Sequence, residues 1–246
     1  MKIKEVKNIV EISAFYGDFA TFTTEANGEK RDGLINRQGD VVIPAEKYRM
    51  ILPDNVDENL FLLYLEVEEG HITLHSFYDA KLGMLVPQPK REKPQRPELP
   101  DFARKYEEAY CVTPNRIIFK EGDFYGLMDE NGKVIVPPTY TDAQKWFTSK
   151  DRISVEKDDK VSYINLDGKL LLPFEYPFVS YNKKYGYYSF RTHENKWGHM
   201  DESGKIIIPA VYNYICVGTR GLDEMSVKKD GRFYFINARQ EEVKVF

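Results

Sequence analysis

His71 and His75 stand four residues apart, a spacing that on a helix would turn both imidazoles toward one metal ion. They flank Ile72-Thr73-Leu74, whose pattern is that of a strand, where positions four apart lie about 13 Å from each other; the pair cannot share an ion. His193 and His199 sit on opposite sides of a predicted hairpin turn, yet no cysteine or clustered carboxylate completes a ligand set around them. Adjacent carboxylates such as Asp158-Asp159 and Glu68-Glu69 fall at predicted turns, where a solvated face is the expectation rather than paired acid and base groups. Cys111 and Cys216 are the only cysteines, too few for a disulfide framework and without metal-site spacing, and they read as buried thiols of a reducing compartment. No serine nucleophile elbow, phosphate-binding glycine loop or Cys–His pair at a recognisable spacing occurs. The expectation is a protein that is not an enzyme, with no catalytic residue, no cofactor and no metal.

What remains to position are aromatic rings. Phenylalanine and tyrosine number 15 and 17, a bias toward strands because flat rings pack well on a pleated surface. Self-similarity then organises the chain. Trp197-Gly198-His199-Met200-Asp201 runs through Gly204-Lys205 into Ile206-Ile207-Ile208-Pro209, and Tyr125-Gly126-Leu127-Met128-Asp129 runs through Gly132-Lys133 into Val134-Ile135-Val136-Pro137. A third copy has Ser162 in place of the first glycine and ends Leu170-Leu171-Leu172-Pro173; the first copy in the chain spans Asp32-Gly33 to Pro44. Two degenerate copies begin near Ser76 and Tyr234, so positions 126, 162, 198 and 234 recur every 36 residues, whereas the first half carries insertions.

Each unit reads as three strands. An alternating strand and a polar turn lead into the aromatic-Gly strand, which ends at Asp or Asn with Gly three residues later; the Asx side chain can accept from nearby N–H groups and the glycine takes positive φ. The aliphatic triplet that follows is expected to be an interior strand covered on both faces and ended by its proline, with Tyr140, Tyr176 and Tyr212 packing between neighbouring units. Trp197, Tyr125 and Phe233 share one repeat position and are expected to be wedged between units as well.

The aromatic-Gly pair, the Asp, the Gly-Lys turn, the aliphatic triplet and the Pro before Tyr together resemble the WG repeat family, also called KWG repeats, most sharply at Lys196-Trp197-Gly198. The resemblance implies a bacterial β-repeat protein acting as an interaction module, with no catalytic residues to carry over. The expected fold is all-β: tandem three-stranded antiparallel meanders of ~36 residues in an open, curved, solenoid-like array, with a closed propeller-like ring as the alternative. Residues 1–30 are expected to supply cap strands, 31–87 the first two repeats, 88–104 a Pro-rich inserted loop, and 105–246 four further repeats. The segment from Pro87 to Pro100 holds five prolines and suits either a docking motif or a surface spacer. Residues 102–110 have helical spacing and are the one helix expected.

Such an array favours binding a protein or peptide over a broad face, the preferred function. The candidate binding residues are the rings outside the strict consensus: Trp146, Phe147, Tyr181, Tyr185, Tyr187 and Tyr188. A glycan or cell-envelope ligand held by aromatic loops is the first alternative, and a hydrolase with a loop-assembled site the second. A net charge of −4 argues against a nucleic-acid partner. No stretch approaches a membrane span or a signal's apolar region, so a cytoplasmic location is expected, or an exported one if a signal segment has been removed.

Overall fold

The computed structural model describes residues 1–68, 71–91, 97–144 and 151–244. Two-residue hairpins open several repeats: Asp158 and Asp159 both take positive φ, as a turn matched to the right-handed twist of strands requires, and both are exposed. The strands these turns join form six antiparallel sheets in chain order. Sheet 1 holds β1 (Ile9–Ile12), β2 (Phe19–Ala26), β3 (Glu29–Asn36) and β4 (Val41–Tyr48). Sheet 2 holds β5 (Met50–Pro53), β6 (Leu60–Glu68), β7 (His71–Asp79) and β8 (Met84–Val86). Sheet 3 holds β9 (Ala109–Thr113), β10 (Arg116–Glu121), β11 (Phe124–Asp129) and β12 (Val134–Tyr140). Sheet 4 has three strands, β13 (Asp142–Ala143), β14 (Arg152–Lys157) and β15 (Lys160–Asn165). Sheet 5 holds β16 (Phe178–Asn182), β17 (Tyr187–Arg191), β18 (Trp197–Asp201) and β19 (Ile206–Tyr212), and sheet 6 holds β20 (Tyr214–Val217), β21 (Met225–Lys229) and β22 (Arg232–Ile236).

The fold is all-β, with no α-helix among the described residues. Four sheets gain a strand that the repeat pattern did not reveal: the residues just after each Pro-Tyr segment start the next sheet, as β5, β13, β16 and β20 do. The aliphatic triplets are not interior strands. In sheets 1, 3 and 5 they lie in the outermost strand, where Val134 and Ile206 are exposed and Ile43 and Ile208 are buried. In sheet 2 the strand does stop before its proline, β8 ending at Val86 ahead of Pro87, but in these three sheets the proline does not end the ladder. β4, β12 and β19 run through Pro44, Pro137 and Pro209, and in sheets 1 and 3 the register slips there, with Leu127 opposite Val136 but Tyr125 opposite Tyr140. A residue without an N–H is tolerated at a bulge on an edge strand. The expected helix at 102–110 is a 3-10 turn at Asp101–Lys105 followed by β9, because Tyr106 packs on Phe119 at 4.7 Å and Tyr110 belongs to the sheet.

The Asx turns close every repeat as their residue types require. The Oδ1 atoms of Asp129, Asn165 and Asp201 each accept from the N–H groups two and four residues on, and Asn36 and Asn237 do the same. The glycine three residues on has positive φ, 81° at Gly132; in the last copy Gln240 is forced to 63° in its place.

The glycine of the aromatic-Gly pair has another cause. A Cβ on Gly126 would lie 2.7 Å from the Val136 carbonyl and 2.9 Å from the Phe119 ring, and Gly33 and Gly198 are crowded in the same way by Phe22 with Ile43 and by Phe190 with Ile208. The opposed strand's phenylalanine thus lies flat over a residue that must lack a side chain. Sheet 4 changes both partners together: Val155 replaces the ring opposite Ser162, and the Ser162 hydroxyl donates to the Leu172 carbonyl.

The chain divides into two compact units, residues 1–91 with 212–246, and residues 92–211. In the first, Leu34, Ile43 and Tyr48 of sheet 1 pack on Ile51, Phe61 and Leu63 of sheet 2. The opposite face of sheet 1 packs Phe15, Phe22 and Ile35 with Phe235 of sheet 6, and Thr219 donates its N–H to the Phe15 carbonyl. Arg91, at the start of the Pro-rich segment, makes a two-pronged bond of 2.7 Å per contact to buried Asp54. In the second unit Ile118 and Leu127 of sheet 3 meet Ile153 and Val155 of sheet 4, and Tyr163 and Leu172 meet Val179, Tyr188 and Phe190 of sheet 5. Burying each such ring contributes about 2–3 kcal/mol.

Candidate partner-binding surface

The tyrosines singled out above lie on the β16–β17 hairpin of the second unit. Strand alternation and cross-strand pairing separate them into two kinds. Tyr188 and Tyr187 are core residues, 0% and 2% exposed, and not the displayed rings expected. The Tyr188 hydroxyl accepts from Arg152 at 2.7 Å, and its ring packs on Tyr163 at 5.2 Å; Tyr187 accepts from Asn182 at 3.1 Å and lies 4.7 Å from the His199 ring. Tyr181 and Tyr185 are half-buried and keep an accessible edge. Trp146 and Phe147 lie outside the described residues, as does Glu69 of the Glu68-Glu69 pair.

Arg152 ties this surface together. Its guanidinium lies 3.7 Å from the Tyr181 ring centroid and donates to Tyr188, Asp151 and Glu202, while the Tyr181 hydroxyl donates to Glu202 at 2.7 Å. Burial and the hydrogen bond to Glu202 push the Tyr181 phenol up to about 12. Burial opposes the charge on Arg152, but its bonds to Asp151 and Tyr188 outweigh that and raise its pKa. The result is a patch of ring, cation and carboxylate held in one orientation by its own contacts.

Arg152 belongs to a repeated device. Arg116, 36 residues earlier, donates to the Leu166 carbonyl and to Asp167 in the next sheet's Asx turn, as Arg152 does to Glu202. In the first unit Glu224, 3% exposed, holds the position, and Arg37 in the turn of sheet 1 donates to both its oxygens at 3.0 and 2.9 Å. Among the described residues no group of three or more His, Cys, Asp or Glu could hold a metal. His199 is buried, neither ring nitrogen has a hydrogen-bond partner among the described residues, and burial holds its pKa down to about 4.

With this geometry stand the sequence comparisons. The model of the WG containing repeat matches residues 33–60, 125–160, 162–197 and 197–215. The chain belongs to the WG β-repeat family. No curated protein matches it. Solved structures resemble the backbone only distantly. Hsv2 of Kluyveromyces lactis with loop 6CD replaced by a Gly-Ser linker gives a TM-score of 0.38 at 10% identity, over 97% of this chain and 81% of that one. A chain of the nidogen/laminin complex gives 0.38 at 9% over 96% and 91%, and the tricorn protease 0.33 at 11% over 96% and 25%. At those scores they carry no functional argument. Among the described residues no helix is long and apolar enough to cross a membrane.

The WG signature residue does not wedge between repeats. Trp197 packs edge-on to Phe178 of its own sheet at 5.3 Å, with the Arg191 guanidinium 5.5 Å from one ring and 5.6 Å from the other. Phe233, its counterpart in sheet 6, meets Tyr214 at 6.1 Å and Lys228 at 4.8 Å. Tyr125 alone of the three is buried in the core between two sheets. Sequence reasoning missed Arg152 and Arg191. The 36-residue step from Arg116 to Arg152 was the signal for the first of them.

Proposed function

We propose that this WG-repeat chain is a non-catalytic module that binds a protein or peptide partner, with the surface around Tyr181, Tyr185 and Arg152 as the contact. The observation that carries this reading is the fixed stacking of Arg152 on Tyr181 at 3.7 Å. Tyrosine and arginine dominate binding energies at protein interfaces, and side chains already held in place lose little entropy on association. The repeat architecture supports it: sheets tied by Asx turns and arginine clasps present side chains on a frame that does not have to reorganise. Cys111 and Cys216 are free thiols whose pKa burial pushes up, which suits a chain held in a reducing compartment.

The test is an affinity capture from host extract with the wild-type chain and with the double variant Tyr181→Ala/Tyr185→Ala. The expected result is a protein retained by the wild type and lost, by a factor of about 30 in affinity, from a variant that melts lower but stays folded at the temperature of capture. Capture unaffected by the double variant places the contact elsewhere. Binding to a glycan array instead of a protein overturns the reading, as does a hydrolytic activity lost on changing one acidic residue in a folded chain.

A further inference from the structure

One pair of repeat positions behaves differently in sheet 4. The residue after the strand's Phe or Val is a base in three sheets, each next to the ring that precedes the repeat glycine or its substitute: Lys120 by Tyr125, Arg191 by Trp197 and Lys228 by Phe233. In sheet 3 that base also meets the residue opposite it on the neighbouring strand, with Lys120 Nζ 3.5 Å from Glu108. Sheet 4 has Glu156 in the base's place, Val161 in the ring's place and Asp142 opposite, so that two carboxylates face each other directly across the β13–β14 ladder. Neither has a cationic partner among the described residues, and like charges directly opposed destabilise a sheet.

The space left by the missing ring and base is open. A cleft of about 380 Å³ lies there between sheets 4 and 5, within the second unit, with Asp142, Glu156 and Gln144 on one side and Phe178 and Val179 on the other. Position for position, Ser154 stands where sheet 3 fills its contact with the next sheet using Ile118. The cleft thus pairs an apolar wall, suited to the methylenes of a long side chain, with two carboxylates that have no cationic partner among the described residues.

We propose that this cleft is an anchor pocket for a lysine or arginine side chain of a protein partner, the base absent from sheet 4 being supplied from outside. The assignment rests on the protein-binding reading above and places the partner's anchor at a second point of the same unit. A cation entering between two carboxylates can donate charge-assisted hydrogen bonds to both.

The experiment uses the full chain with three forms: wild type, Asp142→Asn/Glu156→Gln, and Glu156→Lys, which rebuilds the Lys120–Glu108 pair of sheet 3 inside sheet 4. Each is titrated by 1H–15N NMR with N-acetyl-lysine methylamide, N-acetyl-arginine methylamide and N-acetyl-glutamate methylamide, and each is panned against a random peptide library on phage. Expected are saturable shifts of the Ala143, Ser154 and Ser180 amides with the two cationic probes only, and selected peptides rich in Lys or Arg. Both variants are expected to bind these peptides at least ten-fold more weakly and to melt at or above the wild-type temperature. Lower melting of both variants shows that the carboxylates serve the fold and overturns the proposal, as does probe binding that Glu156→Lys leaves intact. Peptides that bind all three forms equally remove the cleft but leave the protein-binding reading standing. Cleft shifts with cationic probes and no selected peptide keep the cleft and remove that reading, and no response to either removes both.

Discussion

Sheets 3 and 4 are built from consecutive copies of one repeat, yet one is a complete interlocked meander and the other is not. In sheet 3 the Phe119 ring lies over Gly126, β12 runs for seven residues through its proline bulge, and Lys120 pairs with Glu108. In sheet 4 Val155 and Ser162 take the interlocking positions, and the outer strand is reduced to single bridges at Ile164–Leu170 and Val161–Tyr176. The hydroxyl of Ser162 holds the same carbonyl position that the glycine of sheet 3 leaves to close backbone approach. The repeat therefore survives loss of its signature when both members of the pair change together, and the outer strand loosens where they do.

The largest effect should come from moving sheet 4's serine into sheet 3. Gly126→Ser is expected to destabilise by about 3 kcal/mol, because the new side chain meets both the Phe119 ring and the Val136 carbonyl. Adding Phe119→Val should recover at least about 1 kcal/mol in a urea-denaturation double-mutant cycle. Additive losses would show that the two positions are not coupled and would break the comparison.

His199 extends it to sheet 5, where it holds the position of the core leucine Leu127. Its folded pKa of about 4 lies below the ordinary 6.5, so the unfolded chain binds the extra proton between those values. Stability from this group is full above pH 6.5 and falls as pH drops toward 4, by up to about 3 kcal/mol. His199→Leu should flatten that part of the pH–stability curve relative to wild type. An unchanged slope would assign the acid sensitivity to the carboxylates instead.

The clasps rank next. Arg152→Ala is expected to cost about 2 kcal/mol, since it leaves the buried Tyr188 hydroxyl without its donor, whereas Arg116→Ala, whose contacts are a carbonyl and an exposed aspartate, should cost about 1 kcal/mol. Equal losses by chemical denaturation would mean that the two clasps are interchangeable. The smallest effect is a gain: Gln240→Gly should stabilise by about 0.5 kcal/mol by relieving the 63° φ, visible as a small rise in melting temperature.

Much of this was legible in residue types. The recurring Asp or Asn with Gly three positions later describes a self-contained turn, because its hydrogen bonds join atoms at most four residues apart. The candidate binding residues were less so. Tyr187 and Tyr188 share a hairpin with Tyr181 and Tyr185, and only the packing of neighbouring sheets, with Arg152 and His199 reaching in, decides which rings are covered.

By itself the sequence determined the repeat, its period, the all-β class and the chemistry of each turn, since all of these depend on interactions local in the chain. Only the tertiary structure decided that the aliphatic triplets are edge strands, that the glycine answers a ring on the strand before it, and that Asp142 and Glu156 confront each other beside an open cleft. Those outcomes depend on which face of one strand meets which residue of another, and periodicity along a chain does not encode that pairing.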